Sequence, residues 1–85
     1  MKLNIKKMKL EIITPDKKVF EGQVKSALFP GSEGSFGVLN NHAPMIATLK
    51  NGTIELVEEN NTTHSFVVKG GVVEICKNNV IVLAE

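Results

Sequence analysis

The chain has 85 residues, enough for one hydrophobic core and too few for two, since a domain of this size buries only about 60–65% of the surface its unfolded chain exposes. A hydrophobic share of 42% with 22% charged residues excludes disorder as the default state, and a net charge of +1 excludes the broad positive field behind sequence-independent nucleic-acid binding. The single cysteine, Cys76, cannot close an internal disulfide, the start carries no secretory pattern and no apolar run approaches the ~20 residues that span a bilayer, so the expected setting is reducing and cytoplasmic, with membrane association at most peripheral.

Residues 1–7 read as a polar N-terminal extension, with Met8 an alternative start. The basic residues at the front (Lys2, Lys6, Lys7, Lys9, Lys17 and Lys18) fit a solvated strand edge blunted by lysine better than a lipid-binding patch. From Met8 the signal is period-two alternation interrupted by turn chemistry, which predicts strands and leaves almost no room for helices. Met8, Leu10 and Ile12 share one face, Lys9 and Glu11 the other, and Thr14-Pro15-Asp16 ends the run because Pro15 cannot donate to a ladder.

Val19 and Phe20 restart apolar pairing before Gly22, and the chain is strand-like again from Val24 to Phe29, closed by Pro30-Gly31, a residue of fixed φ followed by one that tolerates positive φ. Residues 31–35 read as an exposed loop, Phe36 to Leu39 as a brief strand, Asn40-Asn41 as a turn and Met45 to Leu49 as the next strand. Asn51-Gly52 predicts a type I′ hairpin joining that strand to the one containing Ile54 and Leu56. Glu59 to Thr62 is a further polar turn, Phe66 and Val68 alternate with Ser65 and Val67, and Lys77-Asn78-Asn79 is a third hairpin tip, flanked by Val72–Cys76 and Val80–Ala84. That last run is apolar throughout and predicts a strand covered on both faces. Residues 1–85 are therefore read as one all-β domain, a small β-sandwich or flattened barrel.

The residues that could carry chemistry are few. Gly31-Ser-Glu-Gly34-Ser-Phe-Gly37 has the glycines of a phosphate loop without the following helix or Lys-Ser/Thr pair that such a loop needs. His42, His64 and Cys76 lack the close spacing of zinc ligands, so no metal site is expected. His42 with Ser32 or Ser35 is the only nucleophile–base pair available, and no acid is placed to orient it; His42, ahead of Ala43-Pro44, reads instead as a hydrogen-bonding turn residue. Four Phe, no Tyr and no Trp at core-phase positions argue against a nucleic-acid platform. The rival binding-module reading is a lipoyl- or biotinyl-type carrier domain with Lys50 as the modified lysine beside Asn51-Gly52, although Leu49-Lys50-Asn51 lacks the Met-Lys-Met type of surroundings.

Taken in order, Thr14-Pro15-Asp16, Phe20-Glu21-Gly22, Gly31-Ser-Glu-Gly-Ser-Phe-Gly37, His42-Ala43-Pro44, Gly70-Gly71-Val72-Val73-Glu74-Ile75 and Val80-Ile-Val-Leu-Ala84 resemble the N-terminal domain of the epsilon subunit of F-type ATP synthases, from about Met8 to Ala84. Two departures stand out: Asn40-Asn41 replaces a frequent Pro-Gly, and the sequence stops where family members begin a C-terminal helical hairpin. The resemblance implies a sandwich of about ten short strands at the foot of the central stalk, on the cytoplasmic face of a bacterial inner membrane. It implies a non-catalytic rotor subunit without cofactor or metal, held to the gamma subunit and resting on the c-ring, that couples ion transport to ATP synthesis. The hairpin that restrains ATP hydrolysis is expected to be absent. By the same resemblance Gly31, Ser32, Glu33, Gly34 and His42 face the ring.

Overall fold

The computed structural model describes residues 8–85, so the extension read over residues 1–7, with Lys2, Lys6 and Lys7, lies outside the described part. Eight strands follow in chain order: β1 (Met8–Ile13), β2 (Lys18–Phe29), β3 (Phe36–Leu39), β4 (Met45–Leu49), β5 (Gly52–Glu58), β6 (Thr63–Val68), β7 (Gly71–Cys76) and β8 (Asn79–Ala84). There is no helix among the described residues.

The strands hydrogen-bond in the order β4-β7-β8-β1-β2-β5-β6, with β3 on a further edge of β2. What makes this ribbon a sandwich is β2. Its first half pairs with β1 from Met8↔Val24 to Ile13↔Lys18, its second half pairs with β3 and β5, and the register shifts between Val24 and Ser26. The extra residue there, Lys25, is a bulge that bends the strand and carries the chain from one layer into the other. All pairings are antiparallel except β1 with β8, which run parallel from Lys9↔Asn79 to Ile13↔Leu83.

The core between the layers takes the inward residue of each alternation. Met8, Leu10, Ile12, Val24, Phe29, Val38, Ile54, Leu56, Val73, Ile75, Val80 and Val82 are all buried, and Phe20, Phe36 and Phe66 pack against them. The predicted phase of the first strand, of Ile54 and Leu56 and of Phe66 and Val68 matches this arrangement.

Four sequence expectations change. The described residues hold eight strands where about ten were expected. Gly22 does not interrupt β2; it pairs with Leu10, leaving room for the Phe20 ring 3.3 Å from where a side chain would start, so two expected strands are one of 12 residues. Asn51-Gly52 does not close a hairpin, because β4 pairs with β7 and β5 with β2 and β6, and neither residue has positive φ. The hairpin tip expected at Lys77-Asn78-Asn79 does form, and there the two central residues, Lys77 and Asn78, are left-handed at φ 51° and 63° between Cys76 and Asn79. Finally, β8 is covered on one face only: Val80, Val82 and Ala84 are buried, Ile81 is half-buried and Leu83 is exposed.

Candidate functional site

The glycine loop is built by close approach. Gly31 does not use the left-handed region it would tolerate; a side chain there would sit 2.5 Å from the Gly34 carbonyl oxygen and 2.8 Å from the Phe36 ring, so only glycine lets the loop fold back on itself. Gly34, at φ 129°, does need glycine for its backbone. The loop is then tied to the edge of β4. The Ser32 amide donates to the Thr48 carbonyl (2.9 Å), the Thr48 hydroxyl donates to Ser32 Oγ (3.0 Å), and the Lys50 amide donates to the Pro30 carbonyl (2.9 Å). Gly31 also forms a bridge with Leu49. The result is a braced tip on which Ser32, Glu33 and Gly34 are exposed, and the Glu33 carboxylate has no hydrogen-bond or ion-pair partner among the described residues.

His42 stands elsewhere. Its amide donates to the Leu39 carbonyl (3.2 Å) and its Nδ1 is 2.7 Å from the Ala43 carbonyl oxygen, so it is the hydrogen-bonded turn residue the sequence suggests. This turn is held by Asn78, 8% exposed, whose side-chain oxygen accepts the Asn41 amide at 2.7 Å while the Asn78 carbonyl accepts the Lys9 amide at 2.9 Å. The glycine loop precedes β3 and is bonded to the end of β4, whereas His42 follows β3 and precedes β4. The two are thus at opposite ends of both strands, roughly 13 Å apart at ~3.3 Å per strand residue. Gly31, Ser32, Glu33 and Gly34 form one surface feature; His42 is not brought to it.

Asn78→Ala is expected to cost about 1–3 kcal/mol, since it leaves the part-buried Asn41 amide without its acceptor and places a less tolerant residue at φ 63°. Thermal melting reads the loss, and faster hydrogen exchange at Asn41 locates it.

Among the described residues the other candidate groups named from the sequence are not brought together. His42 and Ser32 lie at separate ends, which removes the nucleophile–base pair, and no cluster of three or more potential metal ligands occurs among the described residues. The glycine loop leads into β3 rather than a helix. Lys50 lies on the crossing from β4 to β5 and not at a hairpin tip, so the carrier-domain reading loses its geometry.

On the outer face of β1 and β2, Lys18 bonds both Glu11 and Glu21 at 2.9 Å and Lys9 bonds Glu21 at 3.0 Å, separating two carboxylates that the register sets opposite one another. Hydrogen bonds from Lys18 and then Lys9 hold the Glu21 carboxyl below the usual range. A depressed carboxyl adds stability above its unfolded pKa and loses it as pH falls through the folded one. The expected outcome is a small acid-side loss of melting temperature that Glu21→Gln abolishes, with the neutral-to-acid difference in midpoint as the measurement.

Comparison with known proteins agrees with this architecture. Residues 7–85 match the family model of the ATP synthase delta/epsilon chain β-sandwich domain. The ATP synthase epsilon chain of Hyphomonas neptunium is 40% identical over 93% of this chain and 58% of its own length, and that of Nitratiruptor is 44% identical over 92% and 60%. The epsilon chain of Chlorobium limicola is 40% identical over 94% of this chain and 91% of its own. This chain spans about 60% of the length of the Hyphomonas and Nitratiruptor proteins. Among solved structures, a chain of the Euglena gracilis mitochondrial ATP synthase (OSCP/F1/c-ring) superposes with a TM-score of 0.88 at 23% identity, covering 95% of this chain and 52% of that one. A chain of the Tetrahymena thermophila mitochondrial ATP synthase central stalk and c-ring gives 0.75 at 22% identity, covering 93% and 63%. A sandwich bent at the Lys25 bulge, a glycine loop braced on β4 and a family match over nearly the whole sequence leave one assignment: the chain belongs to the ATP synthase epsilon family, of which it carries the β-sandwich domain.

Proposed function

We propose that this domain is a non-catalytic rotor element of an F-type ATP synthase, joining the gamma subunit to the membrane c-ring on the cytoplasmic face of a bacterial inner membrane, with no cofactor or metal of its own. The observation that carries this reading is the family match over residues 7–85. Its physical logic is stiffness. A joint that passes torque between two neighbours must deform little, and a close-packed sandwich meets that need, with its functional groups on loops that the packed body positions.

The ring-facing surface in this reading is Gly31, Ser32, Glu33 and Gly34, with His42 as a second point. An exposed tip with one unpaired carboxylate and little side-chain bulk suits close approach to the polar turns of another protein. With His42 at the far end of β3, both points meet the ring only when β3 lies along its surface.

Purifying the tagged chain from its host membranes should recover gamma and c subunits, and reproducible absence of both overturns the assignment. In the assembled complex Glu33→Cys should crosslink to a ring subunit. A crosslink from His42→Cys as well reports the flat orientation, and a crosslink from Glu33→Cys alone reports an end-on one. Failure of Glu33→Cys to reach the ring removes the ring-facing role of the loop.

A further inference from the structure

Asn51-Gly52 carries the chain from β4 to β5 without making a hairpin. Packing is what keeps glycine at 52, since an added Cβ would lie 2.7 Å from Pro30 Cβ and 3.1 Å from Pro30 Cγ. The same missing side chain leaves the Gly52 nitrogen unshielded. For that reason Asn-Gly is the dipeptide in which an asparagine amide most readily closes on the following peptide bond.

The structure sets Asn51 apart from the other asparagines. It is exposed, and its side-chain amide has no hydrogen-bond partner among the described residues. The side chains of Asn41 and Asn78 bond one another, the Asn60 oxygen accepts the Thr62 amide at 3.0 Å, Lys25 Nζ bonds the Asn61 oxygen, and Asn79 Nδ2 donates to the Lys77 carbonyl at 3.4 Å. None of these is followed by glycine. The Gly52 nitrogen is restrained only by the end of a ladder. The Glu58 amide donates to the Thr62 carbonyl at 2.8 Å, and bonded pairs alternate along an antiparallel ladder, so Gly52 and Val68 form the last bonded pair between β5 and β6. Such a terminal pair opens far more often than one inside the sheet.

We propose that Asn51 is a site of spontaneous deamidation whose isoaspartate product loosens the brace of the glycine loop. The Gly52 nitrogen attacks Asn51 Cγ and forms a new C–N bond, the Cγ–Nδ2 bond breaks, and the proton lost from the Gly52 amide leaves on the departing ammonia. Water then adds to one of the two carbonyls of the resulting five-membered imide and breaks that carbonyl's bond to the Gly52 nitrogen. Opening at the main-chain carbonyl routes the backbone through the former side chain as isoaspartate; opening at the other gives aspartate. Isoaspartate lengthens the main chain by one carbon between two points fixed to the same proline: the Lys50 amide bonds the Pro30 carbonyl at 2.9 Å, and Gly52 packs against the Pro30 ring. The extra atom is therefore accommodated at the residue that leads into Gly31.

The test incubates the full native chain, and the same chain in denaturant, at mildly alkaline pH and follows intact mass and peptide maps. The native chain should gain about 1 Da at Asn51 roughly tenfold faster or more than at any other asparagine, yet more slowly than the denatured chain, because the reaction waits on opening of the Gly52–Val68 pair. Asn51→Gln should not gain it at this position. After conversion to isoaspartate the Lys50 and Ser32 amides should exchange about tenfold faster or more, whereas Asn51→Asp, which adds the charge without lengthening the backbone, should keep exchange near that of the wild type. Earlier conversion at another asparagine overturns the site, as does no conversion of the native chain over a time in which the denatured chain converts at Asn51. Unchanged exchange at Lys50 and Ser32 in the isoaspartate form, or equally fast exchange in Asn51→Asp, overturns the link to the loop. Every one of these readings is independent of the rotor assignment.

Discussion

Gly71→Ala is expected to cost about 3–5 kcal/mol, a large part of the ~5–15 kcal/mol that holds a domain together. Gly71 opens β7 at φ 148°, and an added Cβ would lie 2.3 Å from the Leu83 carbonyl oxygen and 3.0 Å from Ala84 Cα. Both obstacles are backbone of the paired strand, so neither can swing aside. The position is also where β7 is gripped from both flanks, by Leu49 of β4 and Ala84 of β8, and a shift there disturbs two ladders together. Melting followed by far-UV circular dichroism should show a midpoint lowered by more than about 12 °C at ~4 °C or more per kcal/mol. Gly70→Ala serves as the comparison. Its φ of 157° is similar, but the added Cβ would meet a flexible Glu85 carboxylate at 3.2 Å and the Leu49 carbonyl oxygen at 3.3 Å, so its cost should be smaller. Equal midpoints for the two variants would mean that the close approach of β7 to β8 is not what selects glycine at 71.

Phe29→Ala should cost about 3–5 kcal/mol in chemical denaturation, the ordinary range for deleting a fully buried aromatic side chain. Phe29 closes β2, is fully buried and packs its ring 5.5 Å from that of Phe36, its cross-strand partner. The Phe36 ring in turn lies against Gly31, so the cavity opens beneath the braced glycine loop. The variant should therefore loosen the Glu33 tip as well as the core, visible as faster exchange of the Ser32 amide. Leu28→Ala, one residue earlier and exposed, should cost less than about 1 kcal/mol. A Leu28 effect as large as that of Phe29 would place the wrong face of β2 inward.

Much of the fold was legible in the sequence. Alternation of Met8, Leu10 and Ile12 against Lys9 and Glu11 is a local property of the chain, and it named the buried face of β1 without reference to any partner. The glycine loop was legible as a loop, and the six motifs in their order pointed to the ATP synthase epsilon family that the comparisons bear out. The site was less legible. Nothing in residues 31–34 announces that the loop is hydrogen-bonded to Thr48, and nothing in His42-Ala43-Pro44 says that Asn78, 37 residues away from Asn41, anchors that turn. The one available signal was the pair of asparagines, Asn41 and Asn78, both at turn positions and both left-handed.

The sequence by itself determined which residues face inward along the alternating strands, where most strands start and stop, and that helices have almost no room, because these follow from side-chain period and turn chemistry acting over a few residues. The tertiary structure decided which strands meet. Asn51-Gly52 has the composition of a hairpin, yet β4 finds β7 and β5 finds β2, so the pair serves as a crossing between layers, whereas the hairpin tip read at Lys77-Asn78-Asn79 does join neighbours, β7 and β8. The parallel pairing of β1 with β8 joins residues some seventy positions apart, and the bulge at Lys25 that turns one strand through both layers has no signature of its own. Alternation says which face of a strand avoids water; the choice of partner depends on closing long loops and packing two layers at once, and that free energy belongs to the whole chain.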